Sequence, residues 1–222
     1  MQQLFIFDLH NTLVKDNDLV VVTAINSVLA EHGLNVRVDI EYVRHYQATL
    51  KPFSSYFRNI LPAVPERVIE EMTLATKDKC EKFLIAKYIK KMEGAEYVLS
   101  EIKKRKDSIC VLSFSMITSI DIYLKTTGLE KYVDKRIDIE SSQEIHTNSD
   151  AGEIKASLIR KHLDSISRYN RVFMIGDSVS DMKAGRLLGL TNIYFTSTGE
   201  QLDIAHHSID ELKEIIKIAY ND

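Results

Sequence analysis

The chain has 222 residues, 45% of them hydrophobic, which is enough for one full core and a smaller appended module. The net charge is −3 with acids and bases intermixed, so no basic face indicates a nucleic-acid partner. No apolar stretch approaches the roughly 20 residues that cross a bilayer. The chain has only two cysteines and no leader-like segment before residue 4. We therefore expect a reduced, cytoplasmic protein without membrane or nucleic-acid partners.

The first predicted element is a buried strand that ends in a carboxylate. Residues 4–7 are an uninterrupted apolar run, and Asp8 follows them directly. Residues 15–18 then form a polar break. From residue 21 to residue 91 the apolar residues recur at helical spacing, with prolines as breaks and no strand-like alternation. This pattern predicts an all-helical segment after the first strand.

Beyond Gly94, strands and helices alternate. Because alternating strands and helices build parallel sheets, this half of the chain predicts an α/β fold with a three-layer core. We expect a core domain of residues 1–15 and 94–222, with residues 16–93 as an inserted helical cap domain. A capping-box spacing, Ser208 with Glu211 three residues on, predicts that the last helix begins at Ser208. The predicted strands lie at 109–113, near 137–139, at 171–175 and at 192–195, and a polar loop spans 141–150.

Acidic residues follow two of the predicted strands. Asp8 ends the first strand, and Asp177 and Asp181 follow the strand at 171–175. An aspartate at a strand end is often only a turn residue or a helix cap, but two such segments in one sheet favour a site. Carboxylate oxygens at neighbouring strand ends suit a hard cation, so the pattern favours Mg²⁺ over zinc.

These two segments resemble the first and fourth signatures of the haloacid dehalogenase (HAD) superfamily. The closest resemblance is to its phosphoglycolate phosphatase and β-phosphoglucomutase branch. It implies a Rossmann-like core with a helical cap and a Mg²⁺-dependent phosphatase acting on a small phosphate monoester. Asp8 would be the nucleophile that forms an aspartyl phosphate. The resemblance also implies that Asp8, the backbone carbonyl of His10 and Asp177 hold the metal ion, assisted by Asp181 directly or through water.

Two further residues are implied by position within this family. Ser113 ends the strand at 109–113, where the family has a serine or threonine that binds the transferring phosphoryl group. Lys155 lies near the start of the helix after the polar loop, where the family has a phosphate-binding lysine, and Lys161 is the alternative. The chain departs from the usual pattern in having Phe114 and Ala156 in place of asparagine and proline.

His10 replaces the second aspartate of the first signature, which in the phosphatases protonates the leaving group and activates water. Histidine, with an ordinary pKa of about 6.5, is able to do both. One alternative is a catalytically weakened protein that binds phosphorylated ligands without turnover. Another is a metal-independent dehalogenase, because that branch also lacks the second aspartate, although the presence of Asp177 argues against it. The sequence leaves the substrate and the oligomeric state open.

Overall fold

The computed structural model describes residues 2–48, 53–138, 150–162, 166–196 and 199–220. The strands are β1 (Leu4–Asp8), β2 (Val14–Lys15), β3 (Lys90–Lys91), β4 (Ser108–Leu112), β5 (Lys135–Ile137), β6 (Val172–Gly176), β7 (Thr191–Phe195) and β8 (His207–Ile209). The helices are α1 (Asn17–Glu31), α2 (Ile40–Ala48), α3 (Ser55–Ile60), α4 (Glu66–Lys79), α5 (Ile85–Tyr88), α6 (Ala95–Lys104), α7 (Ile117–Thr127), α8 (Ala151–His162), α9 (Val179–Leu187) and α10 (Glu214–Tyr220). A π-helical turn at Cys80–Leu84 joins α4 to α5.

Six parallel strands form the main sheet, in the order β5-β4-β1-β6-β7-β8. β1 lies in the middle, where Leu4 is opposite Ser108 of β4 on one side and Val172 of β6 on the other. Every residue of β1 is buried, which explains its apolar sequence without alternation. Helices α6 to α9 pack on the sheet. This architecture confirms the predicted α/β, Rossmann-like fold class.

The order of the strands creates a switch point beside β1. The chain builds outward from β1 through β4 to β5, and then continues on the opposite side of β1 with β6, β7 and β8. In open parallel sheets, ligands bind beyond the carboxyl ends of the strands at such a point. Asp8, the last residue of β1, therefore lies where a ligand is expected.

The chain divides into two compact units, residues 1–15 with 90–222 and residues 16–89. The second unit contains helices α1 to α5 and has its own core around Ile25, Phe57 and Met72. The first unit resumes at Lys90, before the core boundary expected at Gly94. The reason is that β2 and β3 form a two-stranded antiparallel ribbon, which ties Lys90 to Lys15 within the first unit.

The structure corrects two predictions about secondary structure. Ser208 does not begin the last helix, because it lies in β8 opposite Tyr194 and pairs with the edge of β7. The helix begins at Glu214, whose carboxylate accepts hydrogen bonds from the backbone N–H groups of Asp210 and Glu211. Residues 90–91, predicted as helical, form β3. Most of the predicted loop 141–150 lies outside the described residues. None of the described helices combines the length and the apolar character needed to span a membrane.

Candidate active site

Asp8 is a buried carboxylate at the end of the central strand. Its register partner on β4 is Leu112, so Ser113 follows immediately beside it. Burial raises the pKa of Asp8 well above its ordinary value, and the charges of Asp181 and Asp177 add to this effect, while Lys155 opposes it. The carboxylate is thus in an environment where a cation is needed to keep it ionised.

Lys155 supplies one such cation. This lysine of α8 is 4% exposed, and its Nζ donates to Asp8 Oδ1 at 2.9 Å and to Asp181 Oδ1 at 2.5 Å. Nζ also lies 5.1 Å from the centre of the Phe114 ring. Burial opposes the charged form, but the two carboxylates outweigh it and raise the pKa of Lys155. The alternative lysine, Lys161, is exposed on the same helix.

Asp181 is held by a capping box at the start of α9. The Ser178 hydroxyl and backbone N–H donate to Asp181 Oδ2 at 2.5 and 3.2 Å, while Oδ1 accepts from Lys155. Gly176 makes room for this arrangement, because a Cβ there would lie 2.3 Å from Asp181 Oδ2. Both oxygens of Asp181 are therefore already hydrogen-bonded. This favours an indirect contribution of Asp181 to a metal site.

Asp177 follows β6 directly. Burial and then the charge of Asp181 raise the pKa of Asp177 to about 6, while the charge of Lys155 and, more weakly, a hydrogen bond from the Asn11 side chain oppose the increase. Asn11 adopts a left-handed conformation, with φ of 56°, which asparagine tolerates better than most residues. The turn after β1 thereby reaches the end of β6.

Three carboxylates form a cluster that fits a hard cation. One oxygen from each of Asp8, Asp177 and Asp181 lies within 4.8 Å of the others. The donors are all oxygens, the ligand type that Mg²⁺ and Ca²⁺ prefer. Because burial raises the pKa of Asp8 and Asp177, a divalent cation would also relieve the cost of keeping both ionised.

His10 lies two residues beyond Asp8 and faces the segment after β4. Its Nε2 is 2.8 Å from Ser115 Oγ, and its ring makes an edge-on contact with Tyr123, with 4.8 Å between centroids. Nδ1 is buried and has no hydrogen-bond partner among the described residues. Burial and then the charge of Lys155 lower the pKa of His10 to about 4. The imidazole of the free protein is therefore neutral at pH 7.

Ser113 is fully buried at the end of β4. Its N–H donates to Ile137 O at 3.0 Å, and its Oγ accepts from Ser115 N at 3.1 Å. These bonds fix the turn that carries Phe114 and Ser115. The turn thus holds both the ring that faces Lys155 and the hydroxyl that faces His10.

A family model described as haloacid dehalogenase-like hydrolase matches residues 2–189. The chain belongs to the haloacid dehalogenase-like hydrolase family. This confirms the resemblance that was based on the first and fourth signatures. No curated protein sequence matches the HAD chain significantly.

Solved structures from several bacteria share this HAD fold. A haloacid dehalogenase-like hydrolase from Streptococcus pneumoniae is 20% identical, with a TM-score of 0.72 over 100% of this chain and 99% of that one. CbbY from Rhodobacter sphaeroides, solved with phosphate, is 16% identical, with a TM-score of 0.73 over 97% and 96%. YfnB from Bacillus subtilis, a HAD-type protein solved with magnesium, is 14% identical, with a TM-score of 0.73 over 98% and 98%. At these identities the likeness concerns the fold.

The structure of this HAD-family chain brings most of the predicted site residues together. Asp8, Asp177 and Asp181 share one cluster, with Lys155 bonded to two of them. Two contacts were missed by sequence reasoning, those made by Asn11 and Ser115. Asparagine directly after His10 was a usable signal for a left-handed residue. The contact of Ser115 with His10 had no sequence signal, because it depends on the path of a loop 105 residues away.

Proposed function

We propose that this chain is a Mg²⁺-dependent phosphatase that hydrolyses a small phosphate monoester through an aspartyl phosphate on Asp8. The observation that supports it best is the buried Asp8 carboxylate, paired with Lys155 at 2.9 Å and grouped with Asp177. A nucleophile, a fixed positive charge and a set of oxygen donors are what phosphoryl transfer to a carboxylate requires.

In this mechanism an Asp8 oxygen attacks phosphorus, and the bond between phosphorus and the ester oxygen breaks. Water then attacks the phosphorus of the aspartyl phosphate, the bond to Asp8 breaks, and inorganic phosphate leaves. Lys155 offsets the negative charge that would otherwise repel the incoming phosphoryl group. Asp8, the His10 carbonyl and Asp177 would hold Mg²⁺, with Asp181 assisting. The bound ion would further neutralise the negative charge of the phosphoryl group.

Ser113 is proposed to hydrogen-bond the transferring phosphoryl group, because it follows the register partner of Asp8 on β4. The helical unit of residues 16–89 is proposed as the cap that selects the organic part of the substrate. The phosphate-ester class is supported by CbbY, which was solved with phosphate and, as a mutant, with xylulose-(1,5)bisphosphate. The substrate of this chain is proposed only as a small phosphate monoester, phosphoglycolate being one member of that class.

The low pKa of His10 favours a second candidate function, in which the protein binds phosphorylated ligands without hydrolysing them. A neutral imidazole cannot protonate a leaving alkoxide, and the pKa of His10 in the free protein is about 4. A bound phosphate group would raise that pKa by its negative charge, which would restore the acid in the complex. Metal-independent dehalogenation is disfavoured, because Asp177 lies in the cluster with Asp8.

Three measurements separate these functions: release of phosphate, release of halide and binding of phosphate. Phosphate release from p-nitrophenyl phosphate should occur with Mg²⁺ and stop in chelator, and halide release from 2-chloropropionate should be absent. Asp8→Asn should abolish turnover, while Asp210→Asn, on the exposed surface of the same unit, should leave it unchanged. Wild-type activity in Asp8→Asn would refute the assignment of Asp8 as the nucleophile. Binding of phosphate without turnover would favour the second candidate function.

A further inference from the structure

We infer that Ser115 is a positioning residue for His10, which holds the imidazole through Nε2 and leaves Nδ1 as the nitrogen available to the reacting groups. This inference rests on the proposed phosphatase function for its catalytic consequence. Its structural part, the orientation and tautomer of His10, does not depend on turnover.

The contact between the two side chains is short and sheltered. Nε2 and Ser115 Oγ are 2.8 Å apart, within the normal range for a hydrogen bond between a ring nitrogen and a hydroxyl. The backbone of Ser115 is fixed in turn, because its N–H donates to the buried Ser113 Oγ at 3.1 Å. Ser115 therefore presents its hydroxyl from a turn anchored at the end of β4.

A second contact fixes the plane of the ring. Tyr123 of α7 meets the imidazole edge-on, at 83° between the planes and 4.8 Å between centroids. The Ser115 hydroxyl fixes the direction of Nε2, and Tyr123 restricts rotation of the imidazole ring. Together they define one orientation for a side chain that is larger than the aspartate usual at this position.

Nδ1 is the ring nitrogen that the protein leaves without a hydrogen bond. It is buried and has no partner among the described residues, whereas Nε2 is engaged by Ser115. An unpartnered buried nitrogen is costly unless a ligand or water satisfies it. Buried N–H groups without an acceptor are rare in folded proteins, which favours a lone pair on the unpartnered Nδ1 over a proton. We therefore assign the proton of the neutral ring to Nε2, with Ser115 Oγ as acceptor.

This tautomer suits the second half of the proposed reaction. Nδ1, with its lone pair, would accept a proton from the attacking water as the water oxygen bonds to phosphorus. The bond from phosphorus to Asp8 then breaks and the electron pair returns to the carboxylate. Nε2–H keeps its bond to Ser115 throughout, so the ring stays in place while it becomes charged.

Nitrogen-15 NMR of histidine-labelled protein tests the positioning directly. His10→Gln identifies the resonances of His10 among the seven histidines. The wild type should show Nε2 protonated and Nδ1 unprotonated at pH 7, and Ser115→Ala should give a pattern averaged over both tautomers. Ser115→Thr, which keeps the hydroxyl, should restore the wild-type pattern. Ser100→Ala, which removes a hydroxyl that donates to Tyr97 O of its own helix, should change nothing. A wild-type pattern in Ser115→Ala would overturn the inference.

Steady-state kinetics on p-nitrophenyl phosphate test the catalytic consequence. Ser115→Ala should lower kcat by roughly 10-fold with KM unchanged, less than the 10²–10⁴-fold expected when an acid–base group is lost altogether. In the His10→Ala background, Ser115→Ala should have no further effect, because the two residues act as a unit. Equal effects in both backgrounds, or a change confined to KM, would assign Ser115 to substrate binding instead. If the wild type releases no phosphate, the proposed function fails, and the NMR result alone decides the role of Ser115.

Discussion

Lys155 and Asp8 lie 147 residues apart in the sequence and form a buried ion pair, with 2.9 Å between Nζ and Oδ1. The same ammonium group also bonds Asp181 at 2.5 Å, so one lysine links a strand end to the first turn of a helix. Removing one partner of such a group leaves an uncompensated buried charge, which is far more costly than losing an exposed ion pair.

Replacing Lys155 by methionine should therefore destabilise the protein by about 3–5 kcal/mol at pH 8. The loss should be smaller at pH 5, because the pKa of Asp8 is already raised by burial and rises further without the lysine. Urea unfolding in chelator measures both values. Lys161→Met, on the exposed part of the same helix, serves as the control and should change stability by no more than about 0.5 kcal/mol. Equal losses of stability in Lys155→Met and Lys161→Met would contradict the buried ion pair between Lys155 and Asp8.

Asp177 should be a direct ligand of the metal ion. Asp177→Asn removes one carboxylate charge from the cluster, so the affinity for Mg²⁺ should fall by at least about 10-fold. Isothermal titration calorimetry at constant pH measures this change, with Asp210→Asn as the matched control. Equal affinity in wild type and Asp177→Asn would remove Asp177 from the metal site.

The pKa of Asp177 predicts how stability depends on pH without metal. Burial and then Asp181 raise it from 3.8 to about 6, so the ionised form destabilises the folded state. This cost is absent below about pH 4 and complete above about pH 6. In chelator, Asp177→Asn should be more stable than wild type at pH 7, and the difference should vanish as the pH falls to about 4. Urea unfolding at several pH values tests it, and a difference independent of pH would contradict the raised pKa.

His10→Asp should change the response to leaving groups. A carboxylic acid at this position restores the usual proton donor, which matters most for alkyl phosphates, whose leaving groups need protonation. We expect kcat/KM to rise by about 10- to 100-fold for an alkyl phosphate and much less for p-nitrophenyl phosphate. Parallel kinetics of wild type, His10→Asp and His10→Ala measure it. If His10→Ala equals the wild type on the alkyl phosphate, His10 has no acid–base role.

The pattern of apolar runs and polar strand ends was sufficient to predict five strands of the main sheet and the acidic residues at its edge. Asp8 and Asp177 could be placed together because parallel strands deliver their last residues to one edge. Lys155 could be named because the family resemblance places a lysine near the start of this helix, and the unfavourable position of a positive charge there gave mild support. These inferences depend on local sequence, on a rule of topology and on the family resemblance.

The remaining features depend on tertiary contacts that local sequence does not encode. β8 has three residues and is stabilised by pairing with the edge of β7, so the spacing of Ser208 and Glu211 was misleading. A capping box does occur in the chain, but at Ser178, with Asp181 rather than a glutamate as the reciprocal acceptor. The pKa of His10 follows from burial and from Lys155, both of which appear only in the folded chain.

The central position of β1 has a consequence for how the protein is made. β1 is synthesised before both of its neighbours in the sheet, which begin only at Ser108 and Val172. At about 5–20 residues per second, the second neighbour leaves the ribosome on the order of ten seconds later. Until β4 emerges, this fully buried apolar strand has no partner strand and is a natural target for chaperones. Because these pairings are long-range, the main sheet should also refold slowly after dilution from denaturant.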